Sequence, residues 1–246
     1  MRTAAKQTYK LIEHESDVGR PDGTDGVPLR IRAMRRTMSF ALTLFALTLS
    51  GAGAQTAKVY GFLIHAAFFS LETKQANLLD PQVFVPDAAS PAGVGPQGIT
   101  HVAGYRPAYG VDDPATVLSN SQGKSIGMTL RQWFAARGAV TLSATSEGNT
   151  SAALVFSGLV PRGRYSMFEN HFGIAGVSFT PLDGSGQTNS FSAAADGSAR
   201  LTVLVPGAVT HAEGVLLVYH SDGVDHGILR GDIGENAHHQ LVMRVP

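Results

Sequence analysis

Residues 214–227 read Gly-Val-Leu-Leu-Val-Tyr-His-Ser-Asp-Gly-Val-Asp-His-Gly, and the interpretation of the whole chain starts from this stretch. Its first half is a short apolar run of the kind that forms a buried β-strand. The run continues directly into two histidines, His220 and His226, and two aspartates, Asp222 and Asp225, around a glycine. Nowhere else in the sequence does a predicted core strand end in such a cluster of titratable groups. The stretch therefore predicts a strand and a candidate site at its end.

Short strands at similar spacing precede and follow this stretch. After Gly138, apolar and polar residues alternate in short segments, and Gly, Asp and Asn separate the segments. Asp196-Gly197 between two such segments is a strong hairpin signal. Strands are predicted at residues 140–144, 152–156, 164–172, 189–193, 201–205, 215–220, 226–229 and 240–245. This spacing predicts an all-β fold, an antiparallel β-sandwich with immunoglobulin-like or Greek-key connections.

The part of the chain before Gly138 is less regular. Residues 129–136 are predicted to form one short helix, with Thr129 as N-cap and Gly138 as the stop. Residues 58–71 are strongly apolar and fit either a strand pair or a helix, because periodicity does not decide between them. Residues 80–124 are rich in Pro, Gly, Ser and Asn. They are predicted to form a long loop that covers the domain and contains at most one short strand.

Composition narrows the function classes. Of the 246 residues, 43% are hydrophobic and 15% charged, and the 28 glycines and 12 prolines fit a β-rich chain with many turns. The chain has no cysteine, which excludes disulfides, thiolate metal sites and cysteine nucleophiles. The formal net charge is zero, so no nucleic-acid partner is expected.

The N-terminal part resembles an export signal. Residues 34–54 consist of a short basic region, an apolar run and the small residues Ala52-Gly53-Ala54. This is the layout of a secretory signal peptide cut after Ala54, and its apolar run is shorter than the roughly 20 residues of a membrane span. Residues 1–33 are then a disordered or mis-assigned extension. A single secreted or periplasmic domain is predicted at residues 55–246, with no integral membrane span in the mature form.

The loop after the apolar run allows three interpretations. A hairpin loop of two or four residues would pair His220 with Asp225 and place the two histidines on opposite faces, giving an oriented His–Asp pair. A loop of three or five residues would bring His220 and His226 face to face, as half of a metal site. In the third interpretation, His220 only caps a core strand by hydrogen bonding to a neighbouring loop.

Three further histidines extend the candidate metal site. In the last strand, His239 shares parity with Leu241 and is predicted to face the core, while His238 faces the other way. His171 ends an earlier strand. Together, His171, His220, His226, His238 and His239 could supply three imidazoles to a copper or zinc ion. The sequence contains no Gly-x-Ser-x-Gly, His-Glu-x-x-His, P-loop or dinucleotide-binding motif, so no catalytic residues are assigned.

Four phrases of the sequence carry a resemblance to known proteins. They are Gln-Trp-Phe-Ala-Ala-Arg-Gly at 132–138, Gly-Leu-Val-Pro-x-Gly-x-Tyr at 158–165, Phe-Ser-Ala-x-Ala-Asp-Gly at 191–197, and Val-Tyr-His-Ser-Asp-Gly with His-Gly at 218–227. In combination they resemble secreted bacterial β-sandwich proteins to which no activity is assigned. The resemblance covers residues 125–246 and implies a secreted single sandwich domain.

The leading hypothesis is therefore an exported envelope or extracellular β-sandwich that binds a ligand or a protein partner, with a histidine-based metal site. One alternative is a small secreted metal-dependent hydrolase or oxidoreductase that uses the same histidines. Another is a purely structural envelope protein in which these histidines are hydrogen-bonded core groups. Convergence of imidazoles around an open coordination position would favour the enzyme.

Overall fold

The computed structural model describes residues 57–173 and 176–245, and the predicted signal peptide and N-terminal extension lie outside these residues. Strands dominate, and two α-helices are present among the described residues, α1 (His65–Glu72) and α2 (Leu130–Phe134). The strands are β1 (Lys58–Gly61), β2 (Leu63–Ile64), β3 (Leu79–Pro86), β4 (Gly93–Val94), β5 (Thr100–His101), β6 (Tyr105–Tyr109), β7 (Val117–Ser119), β8 (Ser125–Thr129), β9 (Arg137–Ala144), β10 (Thr150–Ser157), β11 (Arg164–Gly173), β12 (Gly176–Pro181), β13 (Ser190–Ser192), β14 (Ala199–Val205), β15 (Glu213–His220) and β16 (Ala237–Arg244).

Two antiparallel sheets form a sandwich. The small sheet has the strand order β1-β9-β10-β14, and the large sheet has the order β12-β11-β15-β16-β2, with β13 also paired to β11. A third sheet, β6-β3-β7-β8, adds side chains such as Val83 and Ile126 to the same core. The prediction of an all-β, sandwich-like fold is confirmed.

Alternation of side chains explains the packing of the small sheet. Along β10, Ala152, Leu154 and Phe156 are buried while Ala153 and Val155 are exposed. Side chains alternate between the two faces of a strand, so this pattern places one face on the core and the other in solvent.

The central strand β15 is buried on both faces. On what we term the inner face, Leu217 and Tyr219 pack against the small sheet; on the outer face, Leu216 and Val218 belong to a second apolar cluster. Phe68 of α1 packs against this second cluster. A strand covered on both sides has no polar face, which is why residues 214–218 form an uninterrupted apolar run.

Local sequence was sufficient to predict the helix α2 but not the structure of residues 80–124. Helix α2 starts after Thr129, whose side chain forms a capping box with Gln132, so the predicted short helix is confirmed. The sequence of residues 58–71 fits either a strand pair or a helix, and the structure contains both: two short strands are followed by most of α1. Residues 80–124 were expected to form a long loop with at most one short strand. They instead include nearly all of β3 and four further strands, because the pairing of these strands with one another and with β8 outweighs the local Pro and Gly content.

A β-bulge in β16 overturns the predicted facing of the two adjacent histidines. Leu217 pairs with Leu241 but Val218 pairs with His239, so Gln240 is an extra residue in β16. Such an insertion reverses the alternation of the residues that follow it. His239 therefore lies on the outer face rather than on the face of Leu241, and His238 lies on the inner face beside Tyr219.

Candidate metal centre

The candidate site lies at the end of β15, in the segment 221–236 that joins it to β16. Because His220 pairs with Ala237 of β16, neither of the predicted tight hairpins around Asp222-Gly223 is present. The predicted strand at 226–229 is also absent, and these residues form a turn in the connecting segment. The segment folds back over the outer face of the large sheet, which brings His226 to His220 at a ring-centroid distance of 5.2 Å.

Three of these side chains form a compact ligand group. Within the described residues, His220, Asp222 and His226 each offer one nitrogen or oxygen atom, and these atoms all lie within 4.8 Å of one another. The Nε2 atom of His226 is 3.2 Å from a carboxylate oxygen of Asp222. The arrangement corresponds to the face-to-face histidine pair of the sequence analysis, although a long segment and not a tight hairpin produces it.

His220 is the buried member of this group. Its side chain is 1% exposed, and its Nε2 atom lies 2.7 Å from the hydroxyl of Ser166 on the neighbouring strand β11. Its Nδ1 atom has no hydrogen-bond partner among the described residues. Burial, assisted by the nearby His226, lowers the pKa of His220 to about 4. The imidazole is therefore neutral at pH 7, which is the form that binds metal ions.

An ion pair anchors the loop beside the group. The guanidinium of Arg164, which is opposite His220 on β11, binds the carboxylate of Asp225 through Nη2 and through Nε, the latter at 3.1 Å. Arg164 also donates to the Ser190 hydroxyl at 2.7 Å. The carboxylate of Asp225 is thus paired with Arg164, and Asp222 is the aspartate that lies beside the histidines.

His238 and His239 are held by other partners. The Nδ1–H of His238 donates to the backbone carbonyl of Gln82 at 2.9 Å, and its Nε2 accepts from Ser221 at 3.0 Å. The backbone N–H of His239 donates to the side-chain carbonyl of Gln82 at 2.6 Å, and its Nε2 accepts from Arg230 at 2.9 Å. With both ring nitrogens of His238 occupied and Nε2 of His239 engaged, these residues connect the third sheet to β16.

His171 lies far from the other candidates. It pairs with Glu213, at the opposite end of β15 from His220, and at ~3.3 Å per residue this places it about 23 Å away. Its Nε2 atom is 2.8 Å from the hydroxyl of Thr180. The structure thus brings His220 and His226 together and leaves His171 outside their group.

Several residues of the site carried no sequence signal. Ser166, Gln82 and Arg230 occur in stretches without a recognisable motif. Gln82 lies 156 and 157 positions before the two histidines that it binds. Arg164 could have been found only from the register between β11 and β15, because it is the cross-strand neighbour of His220.

An open pocket of about 510 Å³ adjoins the metal-ligand group. It lies between the segment 221–236 and the outer face of the large sheet. Its lining residues are Phe168, Phe179, His226, Ile228, Leu229, Arg230, Gly231, Asp232 and Asn236. His226 therefore belongs both to the ligand group and to the pocket.

Comparisons with protein-family models, with curated proteins and with solved structures find no match to this chain. Neither helix in the described part of the chain has the length and apolar character needed to cross a membrane.

Proposed function

We propose that this protein is an exported β-sandwich that binds one copper(II) or zinc ion through His220, Asp222 and His226. Export rests on the predicted signal peptide, and the metal site rests on the side-chain geometry. The observation that carries the metal site is the grouping of buried His220, whose Nδ1 has no hydrogen-bond partner among the described residues, with the imidazole of His226 and the carboxylate of Asp222.

Hydrogen bonding of His220 supports this proposal. Buried polar atoms are nearly always hydrogen-bonded, so the lone Nδ1 needs a partner. Because Nε2 lies against the Ser166 hydroxyl, Nδ1 is the nitrogen that remains free to donate its lone pair. A cation there would take the place of the hydrogen bond between His226 and Asp222. Two imidazoles and one carboxylate suit zinc or copper(II), and closure by the partly exposed His226 and Asp222 would bring the atoms to coordinating distances.

Metal content of the untagged full-length chain tests the proposal. After exposure to zinc or copper(II) and dialysis, we expect about one equivalent in the wild type. His226→Ala and Asp222→Asn change partly exposed side chains and should lose the metal while staying folded. His171→Ala removes a histidine outside the group and should retain it. A folded wild type without metal, or full metal content in both site variants, would refute the proposal.

The pocket favours a second candidate function, that of a metal-dependent hydrolase. Three protein ligands leave a coordination position for water, and a metal-bound water has a pKa near neutrality. His226 lines the pocket, so such a water would face a space large enough for a small substrate. Hydrolysis of 4-nitrophenyl acetate by the zinc-loaded wild type, absent in His226→Ala, would support this candidate. Equal rates in the two proteins would exclude this esterase activity.

A further inference from the structure

The pocket beside the ligand group has a chemical character of its own. Phe168 and Phe179 form its floor on the outer face of the large sheet, and Ile228 and Leu229 form its rim. The two rim residues are 66% and 67% exposed, so apolar surface lies open at the mouth of the pocket. An apolar pocket with an apolar rim can bury the hydrocarbon part of a small molecule.

Arg230 supplies the charge of this pocket. Its guanidinium carbon lies 3.3 Å from the centre of the Phe179 ring, and one of its nitrogens donates to His239. No carboxylate in residues 57–173 or 176–245 forms an ion pair with it. Arg106 and Arg164, which are also partly buried, are both paired with aspartates.

This environment is costly for a cation. Burial lowers the pKa of Arg230 to about 10, so the side chain remains charged at neutral pH while it has lost part of its hydration. Stacking on Phe179 and one hydrogen bond to a neutral imidazole compensate for only part of that loss. Most of the five N–H donors of the guanidinium have no acceptor among the described residues, and a carboxylate would match their planar geometry.

We propose that this pocket binds a small organic carboxylate, with its carboxylate on Arg230 and its apolar body between Phe179 and the rim of Ile228 and Leu229. This binding would not require the metal ion. The charges around the pocket favour an anion, because Arg230 is half-buried while Asp232, the acidic residue of the lining, is exposed and screened by water.

A titration of the ¹⁵N-labelled full-length chain with benzoate, in the presence of EDTA, tests the proposal. Benzamide and benzylamine serve as the neutral and cationic probes of similar shape, and inorganic phosphate as the anion without an apolar body. Benzoate should bind with a dissociation constant on the order of 1 mM. It should shift the signals of residues that line the pocket, and the other three probes should bind roughly tenfold more weakly.

Two variants and one control locate the binding. Arg230→Met should weaken benzoate binding roughly tenfold or more. Leu229→Asp adds a negative charge at the exposed rim, leaves the core unchanged, and should weaken benzoate binding even if Arg230→Met proves unstable. Arg244→Met is the matched control, because Arg244 stacks on Phe172 of the same sheet but does not line the pocket. It should leave binding unchanged.

Four results would overturn the proposal. They are unchanged benzoate binding in Leu229→Asp and in folded Arg230→Met, equal binding of benzamide, a preference for benzylamine, and no binding of benzoate. The metal content of the same variants distinguishes this failure from failure of the metal site, because none of these substitutions alters a proposed metal ligand.

Discussion

The indole N–H of Trp133 donates a 2.7 Å hydrogen bond to the carboxylate of Asp80, and both side chains are buried. The same carboxylate accepts the backbone N–H of Gln82 at 2.9 Å, and the carbonyl of Gln82 accepts from His238. Helix α2, the third sheet and strand β16 are therefore connected by one buried polar chain. Burial raises the pKa of Asp80 to about 6, and the Trp133 hydrogen bond opposes this rise.

The coupling between Trp133 and Asp80 should depend on pH. A charged carboxylate accepts a stronger hydrogen bond than a protonated one, and Asp80 changes state near pH 6. A double-mutant cycle of Trp133→Phe and Asp80→Asn, followed by urea unfolding, should give a coupling free energy of about 1.5–3 kcal/mol at pH 8. At pH 5.5 the coupling should be smaller. Equal coupling at the two pH values would show that Asp80 does not titrate in this range.

Ser166→Ala should weaken metal binding without removing a ligand. Ser166 contacts the Nε2 atom of His220 and so fixes the orientation of the imidazole ring. Loss of a residue that orients a metal ligand typically lowers affinity by about 10–100-fold. Isothermal titration with zinc checks this, with Ser178→Ala as control, since Ser178 is an exposed serine on β12 of the same sheet. Identical affinities of Ser166→Ala and wild type would contradict the assigned orientation.

Gly186→Ala should disturb the metal site from outside it. Gly186 has a φ of +74°, and a Cβ atom there would lie 2.6–2.7 Å from backbone atoms of Gly227 and Ile228. The backbone after His226 would have to move, so we expect zinc affinity to fall. Gly148→Ala is the matched control, because its φ is +80° but its Cβ would meet nothing within 4 Å. Gly148→Ala should lose about 1 kcal/mol of unfolding free energy, and Gly186→Ala should lose more because its Cβ atom also meets backbone atoms. Unchanged zinc affinity in Gly186→Ala would contradict the prediction.

The protein should lose stability as the pH falls below about 6.5. Burial lowers the pKa of His65 to about 3, with a contribution from Arg230, and that of His238 to about 4. The unfolded chain therefore takes up protons near pH 6.5 that the folded chain excludes, so the stability present above that pH is lost on acidification. Asp80 acts in the opposite direction, because its raised pKa favours the folded state as the pH falls through 6.

Four buried histidines, His65, His220, His238 and His239, have lowered pKa values and oppose the one aspartate. The unfolding free energy should therefore drop by roughly 4–7 kcal/mol between pH 7 and 5, at ~1.4 kcal/mol per pKa unit. Urea unfolding across this range measures the slope. His238→Gln should reduce the slope by about one proton, whereas His211→Gln, at an exposed position, should leave it unchanged. A flat profile in the wild type would contradict the burial of neutral histidines.

The fold class could be predicted because its signals are local. Strand β10 shows its buried face by simple alternation, and Thr129 shows the start of α2 by its capping box. The third sheet could not be predicted in this way, since β3 depends on partners whose positions are set by tertiary packing.

The candidate site was partly predictable for the same reason. His220, Asp222 and His226 are close in sequence and remain close in space. The connection itself was not predictable, because Asp222-Gly223 is a strong hairpin signal and yet β15, which ends at His220, pairs with a strand that starts only at Ala237. The contacts of His239 with Gln82 and Arg230 depend on two long-range placements that no local pattern encodes.

The extra residue Gln240 has a consequence for how related sequences should be aligned. Before Gln240, an odd-numbered residue such as His239 lies on the outer face of the sheet, whereas after it an odd-numbered residue such as Leu241 lies on the inner face. In a homologue without this extra residue, either the two adjacent histidines would exchange faces or the apolar residues after them would be shifted by one position. A gap at this position is therefore structurally meaningful. The part of this strand up to His239 and the part from Leu241 onward should therefore be aligned and compared separately.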